Sequence, residues 1–227
     1  MSTIGGTDIA DIKLGNVDIE KVYLGSDVVW EKESGDEYEI CNYIENTSNG
    51  YIDTGVSFYS INLIGTPHLI MSVEVLTAPS AWKGIFGSRY KSGDPDTCAV
   101  QVSNKNKWFT RINSSDYSLN ISIFGQHTIT LQNHKCYVDD VAFTESKSIP
   151  RYSGATVALL GTHNRTTDTF SDLGLNCRVY SCQMFGGETL VRDYIPVRQK
   201  STGLYGLLDR VNNVFYTSPN GTLFSGG

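Results

Sequence analysis

Paired carboxylates are the first residues to weigh, because hydrolysis of a glycosidic bond needs one as acid and one as base or nucleophile. On a strand the usual carrier is Glu-x-Asp-x-x-Glu, and that pattern does not occur in this chain. Glu37 and Glu39 have the alternation that would place them on one side of a strand, but they belong to an acidic stretch that reads as solvated linker. Asp94 and Asp96, in Gly93-Asp94-Pro95-Asp96, could ligate calcium from a loop, and Asp139-Asp140 could do so at a hairpin tip. Solvated turns account for both, so no metal and no cofactor is expected. His68, His127, His134 and His163 are dispersed, with no ligand spacing between them. The serines and cysteines lie in no nucleophile elbow, and neither Gly5-Gly6 nor Gly186-Gly187 opens a phosphate loop. No catalytic residue is assigned, and the chain is read as a non-enzyme.

Exposed aromatics beside fixed polar groups are the better lead, since sugar sites present ring faces flanked by a few hydrogen-bonding side chains. Trp82, Tyr90, Trp108 and Tyr117 lie in or beside loops, with Arg89 and Arg111 close in sequence. These six are the candidate glycan-binding residues; packing in the core is the alternative for each aromatic.

The elements that must position them are strands. From Cys41 onward no helical period is found. Short β-prone runs alternate with Gly, Asn, Asp, Ser and Pro clusters. The strands expected are 51–58, 68–77, 84–90, 97–103, 107–112, 127–132, 136–143, 155–162, 177–186, 190–196 and 214–217. Asp139-Asp140 and Asn212-Asn213 read as two-residue turns, because Asn and Asp accept positive φ better than most residues. So many strands in this length point to an all-β, two-sheet sandwich of jelly-roll type.

The first thirty residues form a separate unit. A repeat of ten pairs Ile9 with Ile19, Ile12 with Val22, Leu14 with Leu24, and Gly15 with Gly25. It predicts a small β meander with short hairpins, with Ile12, Leu14, Val22 and Leu24 on one face. Such a meander is marginal alone and needs a partner surface. Three lysines against ten acids give residues 1–40 a balance of −7 and leave +1 for the rest. The organisation expected is a module over 1–32, an acidic linker over 33–40 and the sandwich over 41–227.

The net charge of −6 argues against a partner held by phosphate contacts, so no nucleic acid is expected. No apolar run approaches the ~20 residues that span a bilayer, and no basic-then-apolar leader opens the chain. Four Asn-x-Ser/Thr sites, at Asn46, Asn113, Asn164 and Asn220, are read as ordinary loop residues. Five cysteines, none in C-x-x-C, read as reduced thiols. Cys177 and Cys182 share a strand roughly 16 Å apart, too far for a bridge.

Residues 43–55, Tyr-Ile-Glu-Asn-Thr-Ser-Asn-Gly-Tyr-Ile-Asp-Thr-Gly, resemble the opening of laminin-G-like (concanavalin-A-like) sandwich domains of phage and gut-bacterial surface proteins. Residues 86–90, 127–139, 178–182, 190–197 and 206–216 are similar to later strands of that group, so the resemblance covers about 41–227. His134, Asp140 and Asn213 stand where it commonly has Gly. Lys21-Val22-Tyr23-Leu24-Gly25, followed by Val29-Trp30, is separately similar to short modules of tailed-phage virion proteins.

Together these resemblances imply a structural virion component, a head fibre, capsid decoration or tail-associated fibre, made in the bacterial host cytoplasm. Ile12, Leu14, Val22, Tyr23, Leu24 and Trp30 would then attach it to capsid or tail proteins and mediate a homodimer or homotrimer. The alternative is a lectin module that binds host-surface or mucin glycans.

Overall fold

The computed structural model describes residues 37–89, 97–112, 115–132, 135–143 and 155–227, and before residue 37 the backbone of six short strands. The chain divides into two compact units, Met1–Glu39 and Ile40–Gly227.

In the first unit β1 (Thr3–Ile4) pairs with β2 (Thr7–Asp8), β3 (Ile12–Leu14) with β4 (Val17–Ile19), and β5 (Lys21–Leu24) with β6 (Asp27–Glu31), all antiparallel. The strands of each pair flank residues 5–6, 15–16 and 25–26, which is the ten-residue repeat seen in the sequence. Among the described residues these are three separate two-stranded pairs rather than one continuous meander. Ile12 faces Ile19, and Val22 faces Trp30, across their pairs. The attachment candidates Ile12, Leu14, Val22, Tyr23, Leu24 and Trp30 thus occupy strand positions, and their side chains lie outside the described residues.

β7 (Tyr38–Ile40) spans the boundary of the two units. In the second unit follow β8 (Ile44–Asn46), β9 (Ile52–Asp53), helix α1 (Phe58–Ile64), β10 (Pro67–Val75), β11 (Lys83–Arg89), β12 (Thr97–Val102), β13 (Trp108–Ile112) and β14 (Ser115–Leu119). Next come β15 (Gly125–Gln132), β16 (Lys135–Val138), β17 (Val141–Ala142), β18 (Ala158–Leu159), β19 (Thr162–Asn164) and β20 (Thr169–Ser171). The chain closes with β21 (Cys177–Gly186), β22 (Thr189–Gln199), β23 (Tyr205–Asp209), β24 (Val214–Tyr216) and β25 (Ser225–Gly226).

These strands build an all-β sandwich. The back sheet runs β17-β16-β15-β10-β21-β22-β23-β24, with β8 between β21 and β25. The front sheet runs β14-β13-β12-β11-β18-β9, with β19 and β20 joined to it beside β11. One hydrophobic core takes residues from both: Leu69, Met71, Val73, Ile129, Leu131, Val179 and Met184 from the back, Phe86, Val100, Trp108 and Ile112 from the front. Strict alternation in β10, with Pro67, Leu69, Met71, Val73 and Val75 buried, is the period expected of a strand with one wet face.

Two irregularities matter. A bulge opposite Ser72/Val73 inserts one residue into β21, so Cys177 and Val179 on one side of it and Cys182 and Met184 on the other all point inward. A second bulge, between Gly84 and Phe86, lets Ile85 and Phe86 both be buried.

The structure corrects several expectations. Residues 58–64 are helical, not the end of a strand over 51–58. Ser57 caps the helix in a reciprocal capping box with Ser60, and Phe58 and Ile61 turn one apolar edge inward, Phe58 meeting Phe86 edge-on at 6.4 Å. β-branched and aromatic residues there imitate a strand. The region 155–162 is two short strands, β18 and the start of β19. Asp139-Asp140 is a two-residue turn with φ of 49° and 64° between the paired Val138 and Val141. The turn at Asn212-Asn213 instead has four residues, 210–213, between the paired Asp209 and Val214. Asn46 is no loop residue: it is fully buried and its amide bonds Gly50 and Leu175 carbonyls while its oxygen accepts from the Gly50 N–H.

Candidate functional site

Alternation along the front sheet decides which candidates can meet a ligand. In β13 Trp108, Thr110 and Ile112 are buried, so Phe109 and Arg111 point outward. Trp108 is 0 % exposed, and its indole N–H donates to the Ser122 carbonyl at 2.9 Å. Tyr117, opposite Thr110, packs against the core. Trp108 is therefore removed from the sugar-contact set as a buried aromatic, while Tyr117 is half-buried on the inward-facing side of its strand. Residues three apart on a strand face opposite ways, so Trp108 and Arg111 could not have shared a surface. Tyr90, Asp94 and Asp96 lie outside the described residues.

The outer face gathers a different group. Trp82, just before β11, sits on Phe109 with ring centroids 4.3 Å apart and planes at 60°, and is 38 % exposed. Gln101 lies opposite Phe109, and Arg111 lies between Ala99 and Asp116 across its two neighbouring strands. The Arg111 guanidinium grips Asp116 with both Nε and Nη2, at 2.5 and 2.7 Å. Asp116 is 41 % exposed at its side chain, so the outer edge of the pair meets water. That hydrogen bond, then the charges of Asp116 and Asp172, raise the Arg111 pKa against the opposing effect of burial.

Asp172 is delivered by the β19–β20 hairpin. A ring stack of Tyr51, Phe170 and His163, with centroids 4.2 and 4.4 Å apart, holds that hairpin down. Asp172 adopts φ 58°, a left-handed conformation that Asp tolerates better than most residues, and its carbonyl accepts from the Gly84 N–H. Its carboxylate accepts from Gln101 Nε2 at 2.9 Å and stands 3.8 Å from Arg89 Nη1. Arg89 also donates from Nη2 to Ser171 at 2.6 Å, while its Nε is buried with no hydrogen-bond partner. Between Arg89 and Arg111 lie the buried Gly87 and Ala99, which face each other across β11 and β12, and Thr97, opposite Arg89. The arrangement thus sets an aromatic ledge and the Arg111–Asp116 pair on one side of a strip of small residues, and the Arg89–Asp172 pair with the Gln101 amide on the other. It can stack on an apolar ring face and exchange hydrogen bonds with hydroxyls.

Phe109, Gln101, Asp116, Ser171 and Asp172 were not singled out from sequence. Phe109 was legible, being the outward neighbour of a buried Trp; Asp172 was not, since only the fold brings it across to Arg89.

Of the calcium candidates within the described residues, Asp139 is already engaged. Asp139 Oδ2 takes His127 Nδ1 at 2.6 Å and its Oδ1 accepts the Thr128 N–H, while Asp140 is exposed at the hairpin tip. Among the described residues no group of three His, Cys, Asp or Glu could hold a metal ion. Cys98, Cys136, Cys177 and Cys182 are buried thiols, and Cys41 is half-buried. Burial pushes the Cys136 thiol up to about 12 and raises Cys98, Cys177 and Cys182 as well.

No protein-family model and no curated protein sequence matches the chain. Among solved structures it is similar to "Ruminococcus gnavus IT-sialidase CBM40", at 13 % identity over 65 % of this chain and 90 % of that one, TM-score 0.46. The same module bound to α2,3-sialyllactose matches with the same values. A Trypanosoma rangeli sialidase in complex with a difluorinated nononic acid matches at 11 % identity over 64 % of this chain but 25 % of that one, TM-score 0.48. The functional reading rests on this chain's own residues.

Proposed function

We propose that the sandwich is a non-enzymatic glycan-binding module whose binding surface is the outer face of the front sheet. The observation that carries this reading is the exposed Trp82 ring, propped on Phe109 beside Gln101, Arg111, Asp116 and Asp172. An exposed aromatic set next to pre-oriented hydrogen-bonding groups is the composition a sugar site requires. A glycan array probed with the full chain and with Trp82→Ala tests it. Binding to a defined set of glycans, lost in the variant while the melting curve is kept, is the expected result. An array on which the full chain binds nothing would overturn the reading.

A second proposal concerns residues 1–32. The separation of Met1–Glu39 as its own compact unit, built of two-stranded pairs that bury little alone, favours an attachment role. We propose that this unit anchors a homo-oligomer on a larger assembly, and the sequence resemblance suggests a tailed-phage particle, on head or tail. Deletion of residues 1–32 should leave a folded sandwich that fails to join the particle. Incorporation at the full-length level would remove the proposal.

A further inference from the structure

Resting on the glycan-binding reading above, we propose that this face takes neutral sugar rings and discriminates against acidic ones. The reason is that its guanidinium groups are already matched by carboxylates of its own. Arg111 presents its Nε and Nη2 donors to both oxygens of Asp116, which is the fork a ligand carboxylate would need. Arg89 is held by Ser171 and stands beside Asp172, and its remaining Nε is out of reach of solvent. Among the described residues on this face, two cations therefore meet two anions. A sugar carboxylate placed there would lie next to Asp116 and Asp172 and would have to break an existing ion pair to be satisfied. Like-charge juxtaposition of this kind excludes partners more effectively than it selects them.

Hydroxyl groups face no such conflict. An ionised carboxylate offers about four lone-pair positions. Asp116 gives two to Arg111 and keeps an exposed edge, so it can accept from a hydroxyl without losing its partner. Arg111 is a little less exposed than Asp116, and two residues along the same strand face lies Phe109 under Trp82. That separation, about 7 Å, is within the span of a single pyranose ring: one C–H face on the indole, its hydroxyls toward Asp116.

The test uses matched pairs on one array, each neutral oligosaccharide printed beside the same oligosaccharide carrying a sialic or uronic acid, lactose and α2,3-sialyllactose among them. Hits are followed by titration calorimetry with the full chain. Neutral members are expected to bind at least tenfold more tightly than their acidic partners. Asp116→Asn should narrow that gap by removing one repelling charge. The Asp116 side chain is exposed, and a melting curve checks that the variant folds. Trp82→Ala should weaken binding of both classes about a hundredfold. Acidic members that bind as tightly or more tightly, still dependent on Trp82, would overturn the discrimination and leave the glycan site standing. Binding of neither class would overturn both.

Discussion

The two outer faces of the sandwich each carry an arginine between carboxylates with aromatic rings close by, yet they are built to different ends. On the back sheet Arg178 lies directly across from Glu45 on β8 and Glu74 on β10, and bonds both at 2.8 and 3.4 Å. Its guanidinium covers the Tyr43 ring at 4.4 Å, and the Tyr180 hydroxyl donates to Glu74 at 2.7 Å. The hydrogen bond to Glu45 is the largest cause of the raised Arg178 pKa. This is a closed cross-strand ladder that fixes the register of three neighbouring strands. On the front sheet the same residue types are spread apart by Gly87 and Ala99, one guanidinium nitrogen has no partner, and the Trp82 ring stands out of the surface. Charge and aromatic content do not separate a register lock from a ligand surface. What separates them is whether the groups satisfy one another or leave a ring face and an acceptor edge toward solvent.

Four experiments sharpen that contrast. The largest effect lies one layer beneath the front face: Trp108→Ala removes a fully buried indole and its bond to Ser122, and should cost about 3–5 kcal/mol in chemical denaturation. Its neighbour in the sequence argument behaves oppositely. Trp82→Ala should reduce glycan affinity about a hundredfold, near 2.7 kcal/mol, with the melting curve nearly unmoved. Arg178→Ala on the back face should leave affinity unchanged; an equal loss from both would erase the distinction between the faces.

Next, a Cβ at Gly87 would come within 2.6 Å of the Ala99 Cβ, so Gly87→Ala should destabilise by about 1–3 kcal/mol through overpacking of the strip of small residues. Last is alkaline sensitivity. The buried thiols have folded pKa values above their unfolded value near 9, so the unfolded state gives up protons first. Their contribution is intact below pH 9 and is lost as pH climbs toward the Cys136 value of about 12. The melting temperature should be insensitive to them below pH 9 and fall above it, and Cys136→Ala should weaken that slope.

The sandwich was legible because burial imposes a period of two that the sequence displays, most plainly in β10. The helix was not, since Phe58, Ile61 and Ile64 are as β-prone as they are helical and only the Ser57–Ser60 cap selects the helix. The site was half legible. Trp82, Arg89 and Arg111 stood out by residue type, and the structure places all three on one outer face. Trp108 and Tyr117 stood out by type too, but alternation against Arg111 assigns Trp108 inward, and the pairing of Tyr117 with Thr110 does the same. Asp172 is 83 residues from Arg89 in the chain, so its role depends on the β19–β20 hairpin crossing back to the sheet.

The central claim is that the exposed Trp82, and not another aromatic, meets the ligand. Three tryptophans give three indole N–H signals in a nitrogen–proton correlation spectrum. Titration with a glycan found on the array should shift the Trp82 indole signal and the Gln101 side-chain amide while the Trp108 signal stays fixed. A glycan that binds without moving the Trp82 signal would contradict the account.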